Sequence, residues 1–334
     1  MTLLVRHFLI FSVISHLLIG NTALAEEGSV GFKAIQVFDP VIHYDIEVAV
    51  WYPTQDKAKQ ESIGPVILDV ARDARPLASS QGLILISHGF SGNFLGHNDT
   101  AQFLARLGYV VATPTHPDLQ GLKSGKPEFD PLVIRPRHIQ LIIDELLNHP
   151  SLKTNFRQTR VGIIGFSLGT YTALTAIGAK PDLSGLAAYC AVNIKDTLLC
   201  SPQANRRFSA IAPNLISQRD NRIGGAVLLA PAYGPLFSEK SLADIDISIQ
   251  LFSAEKDLEL DHRYNVQHFE KFLPNTTPVE VIKDAGHFVF MAPCSDGLKQ
   301  AVPLICEDSE PINRKVVHQK LNGDIAKFFD EVLK

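Results

Sequence analysis

The chain of 334 residues is 46% hydrophobic and 20% charged, with 31 Lys and Arg against 35 Asp and Glu. That composition supports a large buried core and excludes the disordered classes. A formal net charge of −4 without any basic run gives no electrostatic case for nucleic acid as a partner.

Residues 1–25 have the form of an export signal. Arg6 and His7 precede an apolar stretch at 8–18, and Ala23-Leu24-Ala25 offer the small-x-small pattern that a signal peptidase reads. The stretch is too short for the ~20 residues of a membrane span, and no other segment is long and apolar enough to be a stable one. The expected mature chain is therefore 26–334, periplasmic or secreted. No cysteine follows the cut, which argues against a lipid anchor there. Export makes the four cysteines interpretable, since Cys190, Cys200, Cys294 and Cys306 all lie in the mature chain. Three pairings are open. The sequential one, Cys190 with Cys200 and Cys294 with Cys306, closes two short loops and is preferred. Their spacing lacks a C-x-x-C or histidine pattern for zinc.

Residues 29–38 and 45–52 read as strands joined by a turn at Asp39-Pro40, an antiparallel pair at the edge of a larger sheet. Residues 54–61 are polar and read as a loop, and 65–70 as a short strand. The continuous apolar run at 82–87 fits a buried parallel strand that runs into His88-Gly89-Phe90-Ser91-Gly92. A helix follows at 99–107, with Gly108 as its stop. The next strand, 109–113, ends at Pro114-Thr115-His116-Pro117. Ile139, Leu141, Ile142, Leu146 and Leu147 mark a helix over 131–147, with Pro150 beyond it.

Residues 160–164 form the next apolar run, ending in Gly165-Phe166-Ser167-Leu168-Gly169 before a helix at 170–177. A serine at a tight strand-to-helix turn needs glycine on either side, because neighbouring Cβ atoms would clash with the strand or a substrate. Between 180 and 222 the alternation breaks down; 181–222 reads as an insertion that could cap the active site. Strands resume at 225–230 and 245–253, then a helix at 262–272 and a strand at 278–282. The final helix, 316–333, carries Val317, Leu321, Ile325, Phe328, Phe329 and Val332 at helical spacing. Strands alternating with helices imply an α/β domain, a mostly parallel sheet with helices on both faces.

A serine hydroxyl becomes a useful nucleophile only when a base accepts its proton, and the base needs a partner to fix its tautomer. Two loops after Ser167 can supply them. Asp257 leaves the strand at 245–253, with Glu255, Glu259, Asp261 and Asp246 as competitors. His287 sits in the glycine turn Asp284-Ala285-Gly286-His287. An oxyanion hole would take the Leu168 and Phe90 amides, with Gly89 allowing the loop to come close. His88 reads as shaping that loop, and His116 as lining the pocket or bonding local backbone. This chemistry requires neither metal nor organic cofactor.

With these residues the chain resembles the α/β-hydrolase superfamily, and more narrowly the bacterial dienelactone-hydrolase-like proteins related to platelet-activating factor acetylhydrolases. The likeness rests on Val50-Trp51-Tyr52-Pro53, ILISHGFSG at 84–92, LARLGYVVATPTHPD at 104–118, the elbow GFSLG and AGHFVFMAPC at 285–294. It implies an α/β-hydrolase fold and a Ser-His-Asp esterase acting on small-molecule or lipid esters. Short acyl esters, including acetylated or oxidised phospholipids, would be the substrates, with transient contact at a lipid surface. A polyester or cutin-type hydrolase is the alternative, an exopeptidase of the same fold is another, and a non-catalytic binding protein is the reading from a different class. Two departures matter. Dienelactone hydrolases proper use a cysteine nucleophile where this chain has Ser167, so their lactone activity does not carry over. In the acetylhydrolases the acid follows the strand after the elbow, where Ala230-Pro231-Ala232-Tyr233 offers no carboxylate, which favours Asp257. The resemblance also favours the two sequential disulfides.

Overall fold

A computed structural model describes residues 28–152, 154–157, 160–274, 276 and 278–334; the expected signal, 1–25, lies outside them. Its centre is a ten-stranded sheet. The strands in chain order are β1 (Ser29–Asp39), β2 (Tyr44–Thr54), β3 (Lys59–Ile63), β4 (Val66–Arg72), β6 (Leu83–Ser87), β7 (Val110–Thr115), β9 (Val161–Phe166), β10 (Ile223–Leu229), β11 (Ser248–Ala254) and β12 (Glu280–Ile282). The short strands β5 (Ser79–Ser80) and β8 (Asn155–Phe156) pair separately. Across the sheet the order is β12-β11-β10-β9-β6-β7-β2-β1-β4-β3. Every pairing from β12 to β7 is parallel, whereas β2 meets both β7 and β1 antiparallel.

The parallel strands β6, β9 and β10 are buried at every residue, as a sheet covered on both faces requires. Successive side chains go to opposite faces. Leu83, Leu85 and Ile163 join one core with the helices Pro131–Asn148 and Leu168–Ala176, while Ile84, Ile86 and Ile164 join the other with Asn98–Arg106 and Arg314–Val332. This is the expected α/β architecture.

Two expectations are corrected. The β1–β2 pair does not form the sheet edge, because β4 and β3 extend the sheet beyond it. The loop expected at 54–61 contains the start of β3. As the outermost strand β3 exposes most of its residues, KQESI, so its sequence is polar and carries no buried apolar signature.

Residues 181–222 contain three short helices, Leu186–Val192, Thr197–Cys200 and Pro202–Ile211, the last two capped by the Asp196 and Ser201 side chains. Leu186, Leu199, Ala204, Phe208 and Ile211 sink into the first core. Arg207 forms a two-pronged pair with Asp130, its Nε 2.7 Å from Oδ2 and its Nη2 2.9 Å from Oδ1. Disulfides join Cys190 to Cys200 and Cys294 to Cys306. Among the described residues no helix is long and apolar enough to cross a membrane.

The Cys190–Cys200 bridge closes a loop with a sequence separation of 10 between two short helices of the 181–222 segment. Chain-entropy reasoning assigns such a loop about 3 kcal/mol. The double variant Cys190→Ser/Cys200→Ser should therefore unfold at lower denaturant concentration by about that free energy. An unchanged midpoint would show that the packing of Leu199 and Phe208 holds the segment without the bridge.

Candidate active site

β9 delivers Ser167 at the sheet's C-terminal edge with φ 51° and ψ −118°, a conformation costly for a residue with a side chain. The turn holds because nothing larger than hydrogen fits around it. A Cβ on Gly169 would collide with the Ser87 carbonyl, and one on Gly165 with the backbone of Gly169. Ser167 N–H donates to Leu229 O at 3.0 Å, Thr170 Oγ1 donates to Ser167 O at 2.6 Å, and Ala232 N–H returns to Thr170 Oγ1 at 2.9 Å. These bonds tie the turn to the end of β10.

His287 opens a short 3-10 turn just after β12, and its Nδ1 donates to Asp257 Oδ2 at 2.7 Å, both side chains being under 10% exposed. Asp257 Oδ1 accepts the Glu259 and Leu260 amides at 2.9 Å each, so both carboxylate oxygens are engaged. With Nδ1 committed to the acid, the proton-free nitrogen of a neutral ring is Nε2. The imidazole packs on Phe166, the residue before Ser167, with ring centroids 4.9 Å apart. None of the competing acids meets it: Glu255 accepts the Asp284 amide, Asp261 pairs with Arg263, Asp246 pairs with Arg219, and Glu259 is exposed.

Gly89 lies against the elbow, where a Cβ would sit 3.0 Å from the Phe166 ring and 3.4 Å from Ser167 Cβ. Phe90 follows with its side chain half-exposed. Leu168 begins the elbow helix, where an amide has no intrahelical acceptor. Among the described residues neither the Phe90 nor the Leu168 N–H finds one.

The two other histidines lie beneath this surface. His88 is buried; its Nδ1 donates to Gly89 O and its Nε2 accepts the His116 amide at 3.0 Å. That agrees with a loop-shaping role. His116 does not line a pocket. It is 3% exposed, with Nε2 3.2 Å from Ser87 Oγ and Nδ1 3.0 Å from His138 Nδ1. His138 Nε2 in turn lies 3.2 Å from Asp39 Oδ2. Sequence reasoning missed His138, Asp39 and the buried pair Arg135–Asp118. The available signal was an arginine and a histidine three apart, in line with the apolar positions Ile139 and Ile142 of one helical face. Among the described residues no group of three or more His, Cys, Asp and Glu could hold a metal ion.

No protein-family model matches this chain, and no curated protein matches it by sequence. Among solved structures it is similar to a ferulic acid esterase from Streptomyces cinnamoneus, with a TM-score of 0.62 and 16% identity over 93% of this chain and 92% of that one. At that identity the likeness establishes the fold, which is the α/β-hydrolase fold.

The buried histidines generate a pH dependence. Burial is the largest cause in each case: His88 is pushed down to about 3 and His97 to about 4, while His116 and His138 are lowered as well. A histidine ordinarily titrates near 6.5. Between about pH 4 and 6.5 the unfolded chain thus binds more protons than the folded one, and stability falls as pH falls through that window. His318, raised despite burial because it bonds Asp99, runs the other way: its contribution is complete below about 6.5 and is lost above its folded value. Four lowered groups outweigh one raised one. For His88 and His97 the loss is about 2 kcal/mol each by pH 5. The melting temperature should drop steeply from pH 7 to pH 5, and a flat profile would show that these rings are charged in the folded protein.

Proposed function

We propose that the chain is an exported serine-dependent carboxylic ester hydrolase. The observation that carries this reading is the 2.7 Å His287–Asp257 bond beside the Ser167 turn. Ser167 Oγ attacks the ester carbonyl as its proton passes to His287 Nε2. Asp257 holds the ring in the tautomer that can accept this proton and stabilises the imidazolium that results. The Phe90 and Leu168 amides take the oxyanion. His287 then gives the proton to the departing alkoxide, leaving an acyl-serine. Water, deprotonated by the same ring, attacks that acyl group and releases the acid with Ser167 restored.

The fold shared with a ferulic acid esterase supports ester hydrolysis as the class. The substrate rests on the narrower sequence resemblance, which points to short acyl esters, including acetylated or oxidised phospholipids. The half-exposed Phe90 and the 94% exposed Leu258, next to Asp257, would meet a lipid surface. The same two side chains favour a polyester surface as the alternative. The 181–222 insertion acts as a wall rather than a swinging lid, since Tyr189 packs edge-on against Tyr264 in the loop after Asp257 and Arg207 locks the segment to Asp130. Export is supported by the two disulfides and by the form of residues 1–25.

Wild type should label with a fluorescent fluorophosphonate and turn over p-nitrophenyl esters fastest at acetyl to butyryl. Ser167→Ala should lose both signals, and Asp257→Asn should lower kcat by roughly 10⁴-fold. A folded wild type that neither labels nor turns over any ester from acetyl to palmitoyl would support the binding-protein reading instead.

A further inference from the structure

Arg135 is fully buried in the second turn of the helix Pro131–Asn148, an expensive place for a charge. All three of its nitrogens are engaged. Nε donates to Asp118 Oδ1 at 2.8 Å and Nη2 to Asp118 Oδ2; Nη1 donates to His88 O at 2.6 Å and Nη2 also to Gly89 O at 3.0 Å. Asp118 Oδ2 additionally accepts the Ser91 amide at 2.8 Å. The ion pair therefore grips the backbone on both sides of Phe90.

Peptide planarity gives this grip a consequence. The Gly89 carbonyl and the Phe90 N–H belong to one trans peptide, so they point in opposite directions. Drawing the carbonyl inward to Arg135 turns the N–H outward, on the loop where a Cβ at Gly89 would meet the Phe166 ring and Ser167 Cβ. Left alone the loop would not stay so, because Ser91 sits at φ 57°, a conformation a serine leaves readily unless held.

We infer that Arg135 and Asp118 are positioning residues that fix the Gly89–Phe90 peptide with its N–H aimed at the oxyanion. The inference rests on the ester hydrolase reading and deepens it. Neither side chain touches substrate; they act through the backbone they hold.

Stability and positioning can be separated, because replacing a buried ion pair by apolar residues of similar volume is commonly neutral or stabilising. The double variant Arg135→Met/Asp118→Leu removes both charges together and should stay folded, melting somewhat lower because the His88 carbonyl and the Ser91 amide lose a partner. Its kcat for p-nitrophenyl acetate should fall roughly 10²- to 10³-fold, the loss expected for one oxyanion donor. KM should move by less than about threefold, as for an interaction made only in the transition state. Inhibition by a phenylboronic acid, whose serine adduct is tetrahedral, should weaken in parallel with kcat. A folded double variant with kcat and boronate affinity within about threefold of wild type would overturn the inference while leaving the esterase reading intact. Wild type without Ser167-dependent turnover would overturn both. If the double variant does not fold, the near-isosteric Asp118→Asn decides: kcat should fall at least about tenfold at unchanged KM, and an unchanged kcat would refute the positioning role.

Discussion

The structure depends on one close approach, the crossing of the elbow backbone over the end of β6. Gly169 lies against the Ser87 carbonyl so closely that a methyl group there would overlap it, and Gly165 stands in the same relation to Gly169. That contact fixes the first turn of the elbow helix against the strand carrying the loop 88–91. Ser167 and Gly89 consequently meet at one edge, and the helix N-terminus faces the place where negative charge would develop. The strain at Ser167 is confined by bonds to Leu229 in β10, to Thr170 in the elbow helix and, through Thr170, to Ala232 just beyond β10.

Beyond the last ladder bond of a parallel strand the chain must find other partners for its carbonyls and amides. Here buried side chains supply them on both sides of the serine. Arg135 takes the His88 and Gly89 carbonyls. On the opposite side His318 Nε2 donates to Val289 O at 2.7 Å, and His97 Nδ1 meets Phe290 O at 3.1 Å, within the turn that begins at His287. His318 is oriented by Asp99, much as Arg135 is by Asp118. Each loop flanking Ser167 is thus braced by a cationic or ionisable side chain that is itself held by a carboxylate. Side-chain bonds to backbone fix a loop more specifically than apolar packing alone, because they are directional.

What the sequence discloses follows from this division. The elbow, the acid and histidine loops and the parallel strands are local patterns, a glycine spacing or an apolar run, and each is readable within about ten residues. The edge strand β3 is not, since a strand with one neighbour and an exposed face has no apolar signature to show. Nor is the bracing. Arg135 and Asp118 are 17 positions apart, and His318 and Asp99 are separated by 219. In the sequence each is an ordinary polar residue, and only the fold makes its burial and its partner visible. His116 shows the same limit: its place at a strand end leaves pocket lining and backbone bonding both open, and only the covering helix with His138 puts it under the surface, bonded to side chains.

The bracing also bears on how such a site tolerates the instability it carries. Buried ion pairs gain little net stability over apolar packing, and neutral buried histidines lose it in acid. A chain selected for stability alone would have filled these positions with leucine or methionine. Several positions that carry this burden make hydrogen bonds that end on the backbone of residues 88–91 and 287–290, on either side of Ser167, while the buried row His116, His138 and Asp39 lies beneath them. The remaining ion pairs divide: Lys180–Asp244 and Lys320–Asp324 stay largely in solvent, where a pair contributes little, whereas Arg314–Asp308 and Arg207–Asp130 are mostly buried. At Gly89–Phe90 what these directional bonds fix is the orientation of a peptide plane, which the area of an apolar contact would leave free to turn.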